Sequence, residues 1–202
     1  MAVFCTVLQN FAECTTDSVK MRFYRKVGKP PQNSAFFRSL KGEIMSIRVL
    51  FVCHGNICRS TMAQFVFQHM VNTRGLAAQF HIDSAATSRE EIGNGPHYGT
   101  VNKMRKVGIP VLPHHARQMT KKDYQEYDYL IGMDEWNIRN MNRITGGDPD
   151  GKIHMLLEFS EHPRAIADPW YTGNFDATYA DVTEGCEALL ELLTSGTVPS
   201  KS

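Results

Sequence analysis

Residues 47 to 60 read Ile-Arg-Val-Leu-Phe-Val-Cys-His-Gly-Asn-Ile-Cys-Arg-Ser, and the fold follows from how that stretch changes character. Val49 to Val52 is an apolar, β-rich run of the kind expected of a strand covered on both faces. It ends at Cys53. Beyond Ser60, taken as a helix cap, Met62, Phe65, Val66, Met70 and Val71 recur at helical spacing. A strand that turns through a short loop into a helix aims main-chain N–H groups at one point, and the helix start adds positive potential there. The loop of His54, Gly55, Asn56, Ile57, Cys58 and Arg59 is therefore an anion cradle, with Cys53 at its floor and Arg59 at its rim.

Those residue types suit nucleophilic attack on a phosphate ester. The thiolate is the nucleophile, and a helix N-terminus with a nearby guanidinium favours it. Arg59 offers a planar fork matched to two phosphate oxygens. Ser60 is placed to donate to the Cys53 sulfur, both as attacking thiolate and as leaving group. Gly55 permits close backbone approach, and Asn56 tolerates a left-handed conformation while locking the loop through its amide.

Working outward, strand-like and helix-like segments alternate. Strands are expected at Ile47 to Val52, Phe80 to Asp83, Tyr129 to Met133 and Ile153 to Leu157. Helices are expected from Ser60, over Tyr98 to Val107 (stopped by Gly108 and Pro110), after Thr120, from Asp134 toward Ile144, and over Phe175 to Leu193, with a loop at 146–151. This order predicts an α/β fold, a doubly wound parallel sheet with helices on both faces. Ligands in such sheets bind beyond the carboxyl ends of the strands, where Cys53 lies.

The chain of 202 residues is 42% hydrophobic and 21% charged, as expected of a globular protein with one sizeable core. A net charge of +1 gives no argument for nucleic acid, and no stretch has the apolar length of a membrane span. Cysteines 5, 14, 53, 58 and 186 are odd in number and irregularly spaced, which argues for a reducing, cytoplasmic compartment. Residues 1–44 stand apart. Lys20, Arg22, Arg25, Lys26, Lys29, Arg38 and Lys41 outnumber Glu13, Asp17 and Glu43, and Pro30-Pro31 interrupts any period. Codons for Lys41-Gly42-Glu43 can spell a bacterial ribosome-binding sequence just before Met45. The expectation is a bacterial chain whose native synthesis starts at Met45, with 1–44 a disordered extension or translated upstream sequence, a domain over 45–195 and a tail over 196–202.

Val-Cys-His-Gly-Asn-Ile-Cys-Arg-Ser at 52–60 resembles the active-site loop of the low-molecular-weight protein tyrosine phosphatases. The likeness extends through Asp83-Ser84-Ala85-Ala86-Thr87-Ser88, His114-His115-Ala116-Arg117-Gln118, Asp128-Tyr129, Met133-Asp134 with Asn137, and Asp168-Pro169-Trp170-Tyr171. It implies a four-stranded sheet of flavodoxin-like topology and hydrolysis of phosphotyrosine and aryl phosphate monoesters through a phosphocysteine. No cofactor or metal is required, because the loop supplies the positive environment.

On that resemblance Cys53, Arg59 and Asp168 are the catalytic residues, Asp168 giving a proton to the leaving phenolate. Ser84 and His114 support the Asn56 side chain, with His115 a rival for the second role. Cys58 is the expected redox partner of Cys53. Departures bear on substrate: Glu90 stands where an aromatic ring often walls the cleft, beside the acidic Glu91. Trp170 replaces a tyrosine, Tyr171 keeps its hydroxyl, and Thr61 replaces a common proline. Ile57 stands where the phosphoarginine-directed branch is expected to carry threonine. Related arsenate reductases need two further cysteines downstream, and none lies between Cys58 and Cys186. A zinc site from Cys53, His54, Cys58 and His69 fits no structural-zinc spacing.

Overall fold

The structure is a computed structural model that describes residues 46–194; the expectations for 1–44 and for the tail lie outside the described residues. Four parallel strands form one sheet in the order β2-β1-β3-β4: β1 Ile47–Cys53, β2 Phe80–Ala86, β3 Tyr129–Gly132 and β4 Ile153–Met155. The helices are α1 Arg59–Thr73, α2 Tyr98–Lys106, α3 Lys121–Glu126, α4 Glu135–Thr145, the single turn α5 Pro169–Thr172, and α6 Phe175–Thr194. The chain leaves β1 toward β2 on one side and toward β3 on the other. The cleft at this reversal opens beyond the carboxyl end of β1.

β1 is central, and both its faces are covered, so Val49 to Val52 are fully buried. Leu50 and Val52 enter one layer with Ala85, Met119, Tyr124, Tyr127, Leu130 and Met141. Phe51 enters the other, edge-on to Phe67, which packs in turn on Phe80. With no solvated face there is no alternation to read, hence the continuous apolar run. α1 and α6 pack together on that second side. The close approach of α6 to the 156–159 segment depends on Gly185, where a Cβ would fall 2.6 Å from Leu156 Cγ.

Several expected boundaries move, each for a local reason. β2 runs on to Ala86 instead of stopping at Asp83, because Phe51–Cys53 of β1 pair with Ser84–Ala86. Small residues that carry little strand signal are paired here by their neighbour. β3 ends at Gly132, one residue before the expected Met133. β4 stops at Met155 rather than Leu157: Glu158 Oε2 accepts the Met155 N–H at 2.8 Å, and Leu156–Phe159 turn into a 3₁₀ segment. α1 begins at Arg59, so Ser60 is not its cap. Its hydroxyl lies 3.0 Å from the Cys53 sulfur instead. At α3, Asp123 accepts from both Thr120 N and Thr120 Oγ1. Asp134 does cap α4, accepting from Asn137 N at 2.7 Å.

Candidate active site

The loop between β1 and α1 is held by its carbonyl oxygens. Cys53 O accepts from Thr87 N, His54 O from Ser88 N, Ile57 O from His97 N and Cys58 O from Met62 N, at 2.8–3.0 Å. Asn56 O accepts from Thr61 Oγ1 at 2.9 Å and from His114 Nε2 at 2.7 Å. Every peptide bond here is trans, and in a trans peptide the N–H points opposite to the preceding C=O. Carbonyls anchored outward therefore turn the N–H groups of His54, Gly55, Ile57, Cys58 and Arg59 to the inner side of the loop. That is the cradle read from the strand–loop–helix pattern.

Asn56 sets the curvature. At φ 59° it is the non-glycine residue in the left-handed region among the described residues, and it is fully buried. Its Nδ2 donates to Ser60 Oγ at 3.0 Å and to Ser84 Oγ at 2.8 Å, and its Oδ1 accepts from Arg117 N at 3.2 Å. The Ser84 hydroxyl donates in turn to Gln64 Oε1 at 2.6 Å. Both Nδ2 hydrogens are thus committed, and Ser60 Oγ, already an acceptor, has its proton free for the Cys53 sulfur at 3.0 Å. Asn56 N meets the same sulfur at 3.3 Å. Two donors at one sulfur steady negative charge there.

Arg59 is 3% exposed. Nη1 donates to Asp134 Oδ2 at 2.5 Å and to Ile166 O at 3.2 Å, and Nη2 donates to Asp168 Oδ2 at 2.5 Å. Nε is buried without a hydrogen-bond partner. Burial pulls the guanidinium down, but Cys53, Asp168 and Asp134 outweigh it and hold it above its usual range. Asp168 Oδ1 meanwhile accepts Trp170 N at 3.1 Å, so the acid loop and the cradle are joined through one carboxylate.

The structure brings Cys53, Arg59, Asp168, Asn56, Ser60, Ser84 and His114 together. His114, not His115, reaches the loop; His115 is exposed, 3.3 Å from Gly93 O. Burial lowers the His114 pKa and so favours the neutral ring. On the rim, Glu90 lies 3.0 Å from His54 Nε2. Glu91 accepts from Asn94 at 2.7 Å, with its chain beside Gly55. Trp170 and Tyr171 are 58% and 85% exposed. Burial, and then the Cys53 charge, push the Cys58 thiol up to about 12. Among the described residues no group of three or more His, Cys, Asp or Glu is placed to hold a metal ion. Sequence reasoning missed Gln64, the Arg117 N–H and Asp134 as a partner of Arg59. Asp134 had a place in the resemblance and a role as a cap but no tie to Arg59; Oδ1 caps α4 while Oδ2 holds the guanidinium.

Known proteins place the whole domain in one family. The family model for low molecular weight phosphotyrosine protein phosphatases matches residues 48–198. A mouse low molecular weight phosphotyrosine protein phosphatase is 42% identical over 154 residues, covering 74% of this chain and 97% of the mouse protein. The Bacillus subtilis low molecular weight protein-tyrosine-phosphatase YfkJ is 40% identical over 146 residues, covering 71% and 94%. The crystal structure of YfkJ superposes with a TM-score of 0.73 over 76% of this chain and 98% of YfkJ. The chain belongs to the low molecular weight phosphotyrosine protein phosphatase family.

Proposed function

We infer that this protein is a cysteine-dependent phosphatase that hydrolyses phosphotyrosine and other aryl phosphate monoesters. The observation that carries the reading is the Cys53 sulfur held by Asn56 N and Ser60 Oγ beneath inward N–H groups, next to an Arg59 joined to Asp168. Cys53 attacks phosphorus, forming S–P as the P–O bond to the aryl group breaks. The inward N–H groups and the Arg59 fork hold the three equatorial oxygens as their charge redistributes. Asp168 gives its proton to the departing phenolate. As a carboxylate it then takes a proton from the water that attacks phosphorus, S–P breaks, and the Ser60 hydroxyl stabilises the released thiolate.

Substrates are phosphotyrosine-containing proteins or small aryl phosphates. Ile57 favours such esters over phosphoarginine, and Glu90, Glu91, Trp170 and Tyr171 line the entrance. The odd number and irregular spacing of the cysteines support a reducing cytoplasm. Cys58 forms a disulfide with oxidised Cys53 and so protects it from irreversible oxidation.

Hydrolysis of p-nitrophenyl phosphate and of a phosphotyrosine peptide, with Cys53→Ser and Asp168→Ala alongside, tests the reading. Cys53→Ser should be inactive and Asp168→Ala slower by about 100-fold or more. An active Cys53→Ser protein would refute the mechanism. Peroxide followed by dithiothreitol tests Cys58: wild type should recover its activity and Cys58→Ala should not.

A further inference from the structure

His97 stands where three parts of the site meet, and the chemistry above does not use it. Its main-chain N–H donates to Ile57 O of the phosphate loop at 2.8 Å. Its Nδ1 accepts from Gly99 N at 3.1 Å and caps α2. The ring lies parallel to Phe175, centroids 5.2 Å apart and planes within 4°, and Phe175 packs against Ile57 and Cys58. The Trp170 indole meets the same ring edge-on at 5.6 Å and 69°. Gly99 makes room for this: a Cβ there would fall 2.3 Å from a Phe175 ring carbon.

Trp170 sits on α5, a turn of four residues that cannot hold itself in water. Pro169 is buried beneath it, while Tyr171 and Thr172 are exposed. The Trp170 N–H fixes one oxygen of Asp168, leaving the other on Arg59. That bond is made by the Trp170 main chain, so an indole seated on His97 steadies the carboxyl by steadying α5.

We propose that His97 is a positioning residue whose ring seats Trp170 and thereby aims the Asp168 carboxyl at the leaving-group oxygen. The proposal rests on Asp168 being the proton donor. Its signature is therefore a dependence on the leaving group. A phenol with a pKa of about 10 needs the proton as the P–O bond breaks; the more acidic p-nitrophenol needs it far less. Loss of the ring should penalise the first ester more than the second. A purely structural role would lower both alike.

His97→Asn keeps an oxygen acceptor for Gly99 N but removes the ring; His97→Phe keeps a ring and removes the cap. In His97→Asn, kcat/KM for phenyl phosphate should fall about tenfold more than for p-nitrophenyl phosphate, and His97→Phe should hold the wild-type ratio. Trp170→Ala, at an exposed position, should reproduce the His97→Asn ratio even where a His97 variant folds poorly. The chain has two tryptophans, so a Trp136→Phe background isolates Trp170. There, steady-state anisotropy should drop on His97→Asn and hold on His97→Phe. An unchanged ester ratio in both His97→Asn and Trp170→Ala, or an unchanged Trp170 anisotropy in His97→Asn, overturns the proposal. In an Asp168→Ala background His97→Asn should no longer alter the ratio; if it does, the ring acts by another route and the proposal fails. A wild-type chain that hydrolyses neither ester would instead sink the phosphatase reading, while the anisotropy still reports whether the ring seats the indole.

Discussion

Replacing Asn56 by alanine removes more than one interaction, and the parts can be separated. The side chain makes three hydrogen bonds, to Ser60, Ser84 and Arg117 N, in a site with no solvent exposure. A neutral hydrogen bond contributes about 1 kcal/mol, and each partner left unpaired in the interior adds to the loss. The backbone at φ 59° costs a Cβ-bearing residue about 1 kcal/mol more than glycine, while asparagine tolerates it. Asn56→Ala should therefore lose about 4 kcal/mol, a large share of a domain's typical stability of about 5–15 kcal/mol. Asn56→Gly loses the same side-chain bonds without the left-handed penalty and should be the more stable by about 1 kcal/mol. Urea unfolding at pH 7.5 reads both differences. Activity adds a second signature: Ser60 loses the donor that orients it, so its proton is no longer directed at sulfur, and kcat should fall in both variants. The reasoning is refuted if alanine matches or exceeds glycine in stability, or if either variant keeps wild-type kcat.

Asp134→Ala removes both the cap on α4 and a partner of the buried Arg59, and should cost about 3 kcal/mol in urea unfolding. Asp134→Asn keeps the cap and should recover about 1 kcal/mol of that; equal losses would mean the cap contributes nothing. His114 is held below its unfolded value of 6.5 by burial, so the unfolded chain binds its proton first. Its contribution is fully present above about pH 6.5 and is lost as pH falls from there through the lower folded value. Wild type should lose more stability than His114→Gln between pH 7.5 and pH 5, and parallel profiles would show that His114 stays accessible to the proton. Gly185→Ala drives a Cβ against Leu156 and should lower Tm by several degrees, for a cost of about 1–3 kcal/mol. Gly95→Ala, with nothing within 4 Å of its Cβ, is the neutral control.

Much of this was legible because local chemistry and global fold agree at the catalytic loop. The apolar run before Cys53, the left-handed tolerance of Asn56 and the helical period after Ser60 all describe one strand–loop–helix unit. Where the reading slipped, a distant partner had overruled local preference. Ser60 has the composition of a cap, but the turn at Cys58 and Arg59 starts the helix earlier and frees the hydroxyl for sulfur. Ser84 to Ala86 have little strand propensity and become strand because β1 pairs with them. Leu156 and Leu157 continue an apolar run and leave the strand because Glu158 captures a backbone donor.

Read alone, the chain shows the alternation that makes a parallel sheet, the nucleophile and arginine flanking an anion-binding turn, and the motifs of the family. These are local patterns, set by covalent spacing within a few turns of chain. Folding in three dimensions selects His114 rather than His115 to hold Asn56 O, and lets Arg117 serve Asn56 through its backbone. It also makes Asp134 share Arg59 with Asp168 and sets His97 between the phosphate loop and Trp170. Each is a contact between residues far apart in sequence. Its existence depends on where packed strands and helices bring two backbones within hydrogen-bonding or ring-stacking range, and no local window of sequence carries that distance.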